Sequence, residues 1–120
     1  MHELSIAMAL VGEASEVAQR EDAQVTRIVV RIGALAGIVK EALLFSFDLA
    51  AENTPCEGAQ LQIQEVPLTA LCPACNAHRE LPDICDRRCP ECGAETSQII
   101  GGQELELTSL ELVTHATAHC

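Results

Sequence analysis

Apolar side chains recur at three- and four-residue steps in two parts of the chain, which is the spacing of one helix face. The first part predicts a helix over residues 3–20, and the second predicts one over about residues 39–52. The first stripe consists of Ala7, Leu10, Val11, Ala14, Val17 and Ala18. The second stripe consists of Val39, Leu43, Phe47 and Ala50.

Two segments alternate with a period of two and predict β-strands. In QVTRIVVRIG, the expected core-facing residues are Thr26, Ile28, Val30 and Ile32. The opposite face is expected to be mixed and partly basic, and it carries Val25, Arg27, Val29 and Arg31. In AQLQIQEVP, Ala59, Leu61 and Ile63 alternate with glutamines, and Pro67 ends the strand.

A third strand is predicted over ELELTSLELV, although its alternation slips at Thr108-Ser109. Leu105 and Leu107 share one face, whereas Leu110 and Leu112 fall in the opposite phase. Either a bulge or two strands in different surroundings would account for the slip.

Residues 68–103 have no helical period and hold five of the seven cysteines, so they predict a separate module held by something other than a core. The predicted fold class is α+β: a small mixed three-stranded sheet with two helices on one face, plus an inserted zinc-ribbon-like module. The main domain is therefore expected to be discontinuous, over 1–67 and 104–120, with the module at 68–103.

The composition narrows the classes of function. Only 2% of residues are aromatic, so the core must be built from aliphatic side chains. A net charge of −11 argues against nucleic-acid binding and against binding to anionic membranes, and it suits basic partners or cations. No segment is typical of a signal peptide or a membrane span, and seven cysteines is an odd number, so we expect a reducing, cytoplasmic location.

The cysteine module carries two matched motifs, CPAC at residues 72–75 and CPEC at residues 89–92. Two such knuckles bring four thiolates to one ion, which favours a structural zinc site made by Cys72, Cys75, Cys89 and Cys92. A redox pair would need one such motif at the start of a helix, and a catalytic zinc would need an open position. Of the nearby residues, Cys85 is interpreted as a spare thiol, His78 as solvated and Cys56 as a loop residue without a role.

The N-terminus, MHELS, allows two interpretations. The amine of Met1, the amide and imidazole of His2, and the amide or carboxylate of Glu3 can form a nitrogen-rich chelate for Ni²⁺ or Cu²⁺. Alternatively, these residues only lead into a helix, where Glu3 is favoured by the helix dipole.

The motifs together resemble the HypA/HybF family of nickel metallochaperones. The residues that carry the resemblance are MHELSIA, the stretch from Ile32 to Leu35, LLFSFDLA, EGAQLQIQEVP, the CPAC and CPEC pair, and GGQELELTSLEL. They run in the family's order from Met1 to about Val113.

The resemblance implies a protein that is not an enzyme and that delivers nickel to the [NiFe] hydrogenase large subunit together with a HypB-like GTPase. Some members also serve urease maturation, which implies urease accessory proteins as partners. The family's nickel site corresponds to Met1, His2 and Glu3, and its structural zinc site corresponds to Cys72, Cys75, Cys89 and Cys92.

Two parts of the chain depart from the family. Asn76 and Gly93 follow the knuckles where some relatives carry a histidine that makes the zinc site pH-sensitive. The tail with His115, His119 and Cys120 lies beyond the resemblance and is either a weak metal patch or a loose end.

Two other classes compete with the nickel carrier, an acidic zinc-ribbon adaptor and a zinc enzyme. The sequence leaves the fourth nickel ligand open, and it leaves open whether the chain is a monomer or a homodimer.

Overall fold

Two α-helices and six strands form the part of the chain that the computed structural model describes, residues 3–114. In chain order they are α1 (Glu3–Arg20), β1 (Ala23–Gly33), α2 (Lys40–Ala51), β2 (Gln60–Val66), β3 (Leu68–Cys72), β4 (Ala77–Leu81), β5 (Gln98–Gly101) and β6 (Leu105–Thr114), with a 3-10 turn at Ala34–Ala36. Both predicted helices and all three predicted strands are present. Neither helix is long and apolar enough to cross a membrane.

The strands form two three-stranded sheets, ordered β2-β1-β6 and β4-β3-β5. The first sheet and the two helices confirm the predicted α+β class. The second sheet was not predicted: β3 pairs antiparallel with both β4 and β5. Its strands are four or five residues long and mix polar with apolar residues, so they carry too little periodicity to be recognised.

The described residues pack as two compact units. The first unit comprises residues 3–30, 38–63 and 107–114, and the second comprises 31–37 and 64–106. These units are defined by how residues pack, whereas a domain is a segment that can fold by itself. The domain boundaries proposed from the sequence therefore stay a prediction.

The core of the first unit is aliphatic and includes one aromatic ring. Helices α1 and α2 pack against each other. Their buried residues are Ile6, Ala7, Leu10, Val11, Ala14 and Ala18 on α1, and Leu43, Phe47 and Ala51 on α2. Val39 was predicted in the α2 stripe, but it is the N-cap, with extended backbone, and its side chain is exposed.

Strand β1 corrects the predicted assignment of its faces. Thr26 is exposed, and its hydroxyl donates to the carbonyl of Glu111 at 3.1 Å. Val25 and Val29, expected on the outer face, are buried. Both faces of β1 therefore carry buried residues, as in strands that are covered on both sides of a sheet.

Strand β6 is continuous over Leu105–Thr114, so the alternative of two separate strands is wrong. Its half-buried leucines are Leu107, Leu110 and Leu112, and Leu105 is exposed. The shift in hydrophobic phase therefore occurs within one strand.

The second unit has a small apolar core of its own, contrary to the expectation that none would form. Leu68, Ala70 and Leu81 are buried, and Leu35 and Ile99 pack against them. Residues 33–35 join this unit through two backbone bonds of 2.7 Å, from Gly33 N–H to the carbonyl of Glu104 and from Leu35 N–H to that of Gly102. A Cβ on Gly33 would lie 2.1 Å from the Gly102 carbonyl, so this crossing requires a glycine.

Candidate metal centre

The first cysteine knuckle forms the turn between β3 and β4. Cys72 is the last residue of β3 and pairs with Ala77, so Cys75 lies inside the turn that joins the strands. Asn76 adopts the left-handed conformation with a φ of 53°, which lets the chain reverse. The backbone N–H of Cys75 donates to the Cys72 sulfur at 3.3 Å.

The second knuckle forms a similar reversal. The N–H of Gly93 donates to the carbonyl of Cys89 at 2.9 Å, and the N–H of Cys89 donates to that of Ala94 at 2.7 Å. Arg88 and Glu95 pair as an isolated antiparallel bridge at the base of the turn. Gly93 has a φ of 78°, in the left-handed region that favours glycine.

The two knuckles bring four sulfurs together. The sulfurs of Cys72 and Cys92 lie 3.5 Å apart, and those of Cys75 and Cys89 lie 3.9 Å apart. All four ligand atoms lie within 4.8 Å of one another. A tetrahedral zinc ion with four thiolates needs sulfur separations of about 3.8 Å, because each Zn–S bond is about 2.3 Å. The donor set therefore fits Zn²⁺ and leaves no open coordination position.

Two cysteines of the second knuckle have pKa values shifted in opposite directions. Burial disfavours the Cys89 thiolate, but backbone N–H groups of Cys92 and Glu91 outweigh that effect and lower its pKa to about 6. The N–H of Ala94 favours the Cys92 thiolate, yet hydrogen bonds with the sulfurs of Cys72 and Cys75 favour the protonated form and raise the pKa of Cys92 to about 12. Because zinc binds thiolates, metal binding by the cluster must release the protons that its sulfurs carry.

One basic side chain responds to this cluster, and the spacing of the cysteines did not predict it. Arg79 lies on β4 and is half-buried. The sulfur of Cys75, and after it that of Cys89, raises the pKa of Arg79 above its ordinary value.

The other candidate residues lie elsewhere. Cys85 and His78 are exposed and are not part of the four-sulfur group. Cys56, expected to be a loop residue without a role, is fully buried and contacts the Ser15 hydroxyl at 3.6 Å. Burial raises the pKa of its thiol, so Cys56 acts as an apolar core residue of the first unit.

The candidate nickel site falls partly outside the described residues, because Met1 and His2 lie there, as do His115, His119 and Cys120. Glu3 is described and begins α1. Its carboxylate accepts a hydrogen bond of 3.1 Å from the backbone N–H of Val39, the N-cap of α2. One oxygen of Glu3 therefore already has a partner within the protein.

The sequence matches the family described as hydrogenase/urease nickel incorporation, metallochaperone, HypA, over residues 1–112. The chain belongs to the HypA family. The HypA of Roseiflexus sp. (strain RS-1), a hydrogenase maturation factor, is 50% identical over 92% of this chain and 91% of its own. The HypA of Chloroflexus aggregans is 51% identical over 92% of this chain and 98% of its own.

Solved HypA structures share the fold. The solution structure of the Ni metallochaperone HypA from Helicobacter pylori superposes with a TM-score of 0.63 and 26% identity, over 96% of this chain and all of that one. A second HypA solution structure gives a TM-score of 0.68 over 96% of this chain and 98% of the other. HypA is thus a family of metallochaperones for maturation and not a family of catalysts.

Proposed function

We propose that this chain binds Ni²⁺ at its N-terminus and delivers it during maturation of [NiFe] hydrogenase, and that it can also serve urease. The observation that carries the proposal is the HypA family match over residues 1–112, which includes both the Met1-His2-Glu3 start and the four-cysteine cluster. We further propose a cytoplasmic carrier without catalytic activity of its own.

The N-terminal site consists of the amine of Met1, the amide and imidazole of His2, and Glu3. Nitrogen-rich sets of this kind suit Ni²⁺. The hydrogen bond from Val39 to the Glu3 carboxylate favours a contribution from the Glu3 backbone amide, with the carboxylate holding the start of α1 in place. A short chelate with few ligands releases its metal readily, which a carrier requires.

The four-cysteine cluster is proposed to hold a structural Zn²⁺. Four thiolates match the ligand preference of zinc, and the sulfur separations fit a closed tetrahedral site. Nickel then has a separate site, so loading and release of the cargo leave the zinc in place.

The proposed partners are a HypB-like nickel-handling GTPase, the [NiFe] hydrogenase large subunit and, for urease, an accessory protein. The net charge of −11 supports partners with basic surfaces and speaks against nucleic acid and anionic membranes.

Calorimetric titration of untagged protein with Ni²⁺ tests the nickel site. His2→Ala should weaken binding by more than the roughly 10–100-fold typical of a lost outer-shell group. An extension before Met1 should weaken it too, since it converts the amine into an amide. The exposed His78→Ala is the control and should bind like the wild type.

Glu3→Gln separates the two roles of Glu3. Glutamine keeps an oxygen that can accept from the Val39 N–H, so the loss of affinity should be much smaller than in His2→Ala. A loss as large as that of His2→Ala would make the carboxylate a ligand. Unchanged affinity in His2→Ala would overturn the nickel site itself.

A further inference from the structure

Helix α2 carries two large apolar side chains on its solvent side. Phe45 is 68% exposed and Leu49 is 50% exposed. They are four residues apart, so they are neighbours on one face of the helix. That face points away from the core, because Leu43 and Phe47, each two residues from Phe45, are buried. The helix therefore packs with one face and leaves an apolar pair on the other.

An exposed phenylalanine stands out in this chain because aromatic side chains are scarce. The sequence has two phenylalanines and no tryptophan or tyrosine, and Phe47 occupies the core. Phe45 is the other one. Single exposed apolar residues are common, but an aromatic ring beside a second large apolar side chain is typical of the centre of a protein interface. The pair therefore indicates contact with another molecule.

Exposed carboxylates flank the apolar pair. Glu41 and Asp48 lie four and three positions from Phe45, and Glu52 lies three positions from Leu49. Within residues 3–114 the ion pairs use other carboxylates, so no basic side chain pairs with these three there. We call the five residues together the α2 outer face. It has an apolar centre with acidic neighbours.

The charge of the α2 outer face decides which occupant fits it. A second copy of the chain would bring the same carboxylates against each other, and an anionic membrane would be repelled in the same way. Lys40, the basic residue of α2, is five positions from Phe45 and so lies on another side of the helix. A protein with an apolar centre and a basic rim matches both features.

The start of α2 connects this face with the proposed nickel site. The backbone N–H of Val39, the N-cap of α2, donates to the Glu3 carboxylate at 3.1 Å. Because a helix rises about 1.5 Å per residue, Phe45 lies about 9 Å along the axis from Val39. A partner docked on the α2 outer face would therefore be close to the proposed cargo site.

We propose that the α2 outer face is the docking surface for a protein partner that presents an apolar centre with a rim of lysine or arginine. The inference rests on the proposed function, since it names the surface through which the carrier meets one of its basic partners. The apolar pair supplies the affinity, and the carboxylates orient the partner and speed the encounter.

The test uses two synthetic amphipathic helices with the same leucine stripe, one flanked by lysines and the other by glutamates. In calorimetry, the wild type should bind the lysine peptide and not the glutamate peptide. Phe45→Ala should weaken binding of the lysine peptide about tenfold or more, as truncation of an interface hot spot does. Val113→Ala is the control: it shortens a side chain that is 51% exposed on β6, and should bind like the wild type.

Asp48→Lys tests the contribution of charge. It should weaken binding of the lysine peptide and strengthen binding of the glutamate peptide. Glu13→Lys, at an exposed position on α1, makes the same change in net charge and should keep the preference for the lysine peptide. Equal binding by Phe45→Ala and the wild type would overturn the proposal. So would a loss in Glu13→Lys as large as that in Asp48→Lys.

Two further measurements separate this proposal from its alternatives. Phe45→Ala should bind Ni²⁺ like the wild type, so lost nickel preference in His2→Ala and lost peptide binding in Phe45→Ala report on the two proposals independently. Sedimentation should give the wild type and Phe45→Ala the same oligomeric state. A dimer that the wild type forms and Phe45→Ala does not would assign the α2 outer face to a second copy and overturn the proposal.

Discussion

The two units of this chain are held together by different means. The first unit buries large apolar side chains from both helices and from β1, among them Phe47, Leu43 and Ile28. The second unit buries only Leu68, Ala70 and Leu81 in its apolar cluster, alongside the sulfurs of Cys72 and Cys89. Apolar burial is therefore concentrated in the first unit, and the proposed zinc site would supply the stability that the small core of the second unit does not.

The difference suits a carrier of metal ions, because the proposed cargo site and the proposed structural metal site lie in units that are stabilised differently. A unit stabilised by its own core can keep its shape while a cargo metal enters and leaves. A unit stabilised by a metal keeps its shape only while that metal stays bound.

Loss of the cluster should have the largest effect and should be confined to the second unit. Cys72→Ser removes a buried sulfur, and structural zinc sites of this type contribute about 10–16 kcal/mol to folding in small peptides. Amide hydrogen exchange should show lost protection in β3, β4 and β5, with α1 and α2 still protected. Cys85→Ser, at an exposed thiol, should change nothing, and loss of protection in both units alike would contradict the comparison.

The first unit should instead be most sensitive to its aromatic core residue. Phe47→Ala removes a ring that is 1% exposed and should cost about 3–5 kcal/mol. Denaturant unfolding followed by helical circular dichroism measures the loss, and zinc content should be unchanged. Phe45→Ala, at a ring that is 68% exposed on the same helix, should cost no more than about 0.5 kcal/mol.

Two glycine-to-alanine substitutions test the close backbone contact between Gly33 and Gly102 in the second unit. Gly33→Ala would place a Cβ against the carbonyl of Gly102 and should destabilise by about 1–3 kcal/mol or more. In α1, Gly12→Ala meets no atom within 4 Å and should stabilise by about 0.5–1 kcal/mol. Thermal unfolding of the two variants should thus shift in opposite directions, and a neutral Gly33→Ala would show that the crossing can relax.

The surface ion pairs should have the smallest effect in either unit. Arg27 and Glu111 lie 2.8 Å apart in the first unit, and Arg31 and Glu106 lie 2.9 Å apart in the second. Both pairs are substantially exposed, so Arg27→Gln and Glu106→Gln should each cost at most about 1 kcal/mol, and less at high salt. A larger loss in thermal unfolding would mean that charge pairing also stabilises one unit more than the other.

Prediction from the sequence succeeded where one local pattern decides the outcome. The apolar period predicted a helix over residues 3–20, which is the observed extent of α1. The spacing within CPAC and CPEC predicted the four cysteines whose sulfurs lie together. Prediction failed where burial or pairing depends on strands that are distant in the sequence. The burial of the second face of β1 depends on residues that are distant in the sequence, and the second sheet depends on the pairing of β3 with β4 and β5. Neither fact leaves a trace in the spacing of nearby residues.

The crossing of Gly33 and Gly102 has a kinetic consequence. The two glycines are far apart in the chain, so forming their contact requires closure of a long loop, which slows folding. The cysteine knuckles lie within that loop, and an ion that joins Cys72 to Cys92 shortens the free chain still to be closed. An ion held by the proposed zinc site would therefore lower the entropic cost of bringing Gly33 to Gly102, and folding with zinc should be faster than folding without it.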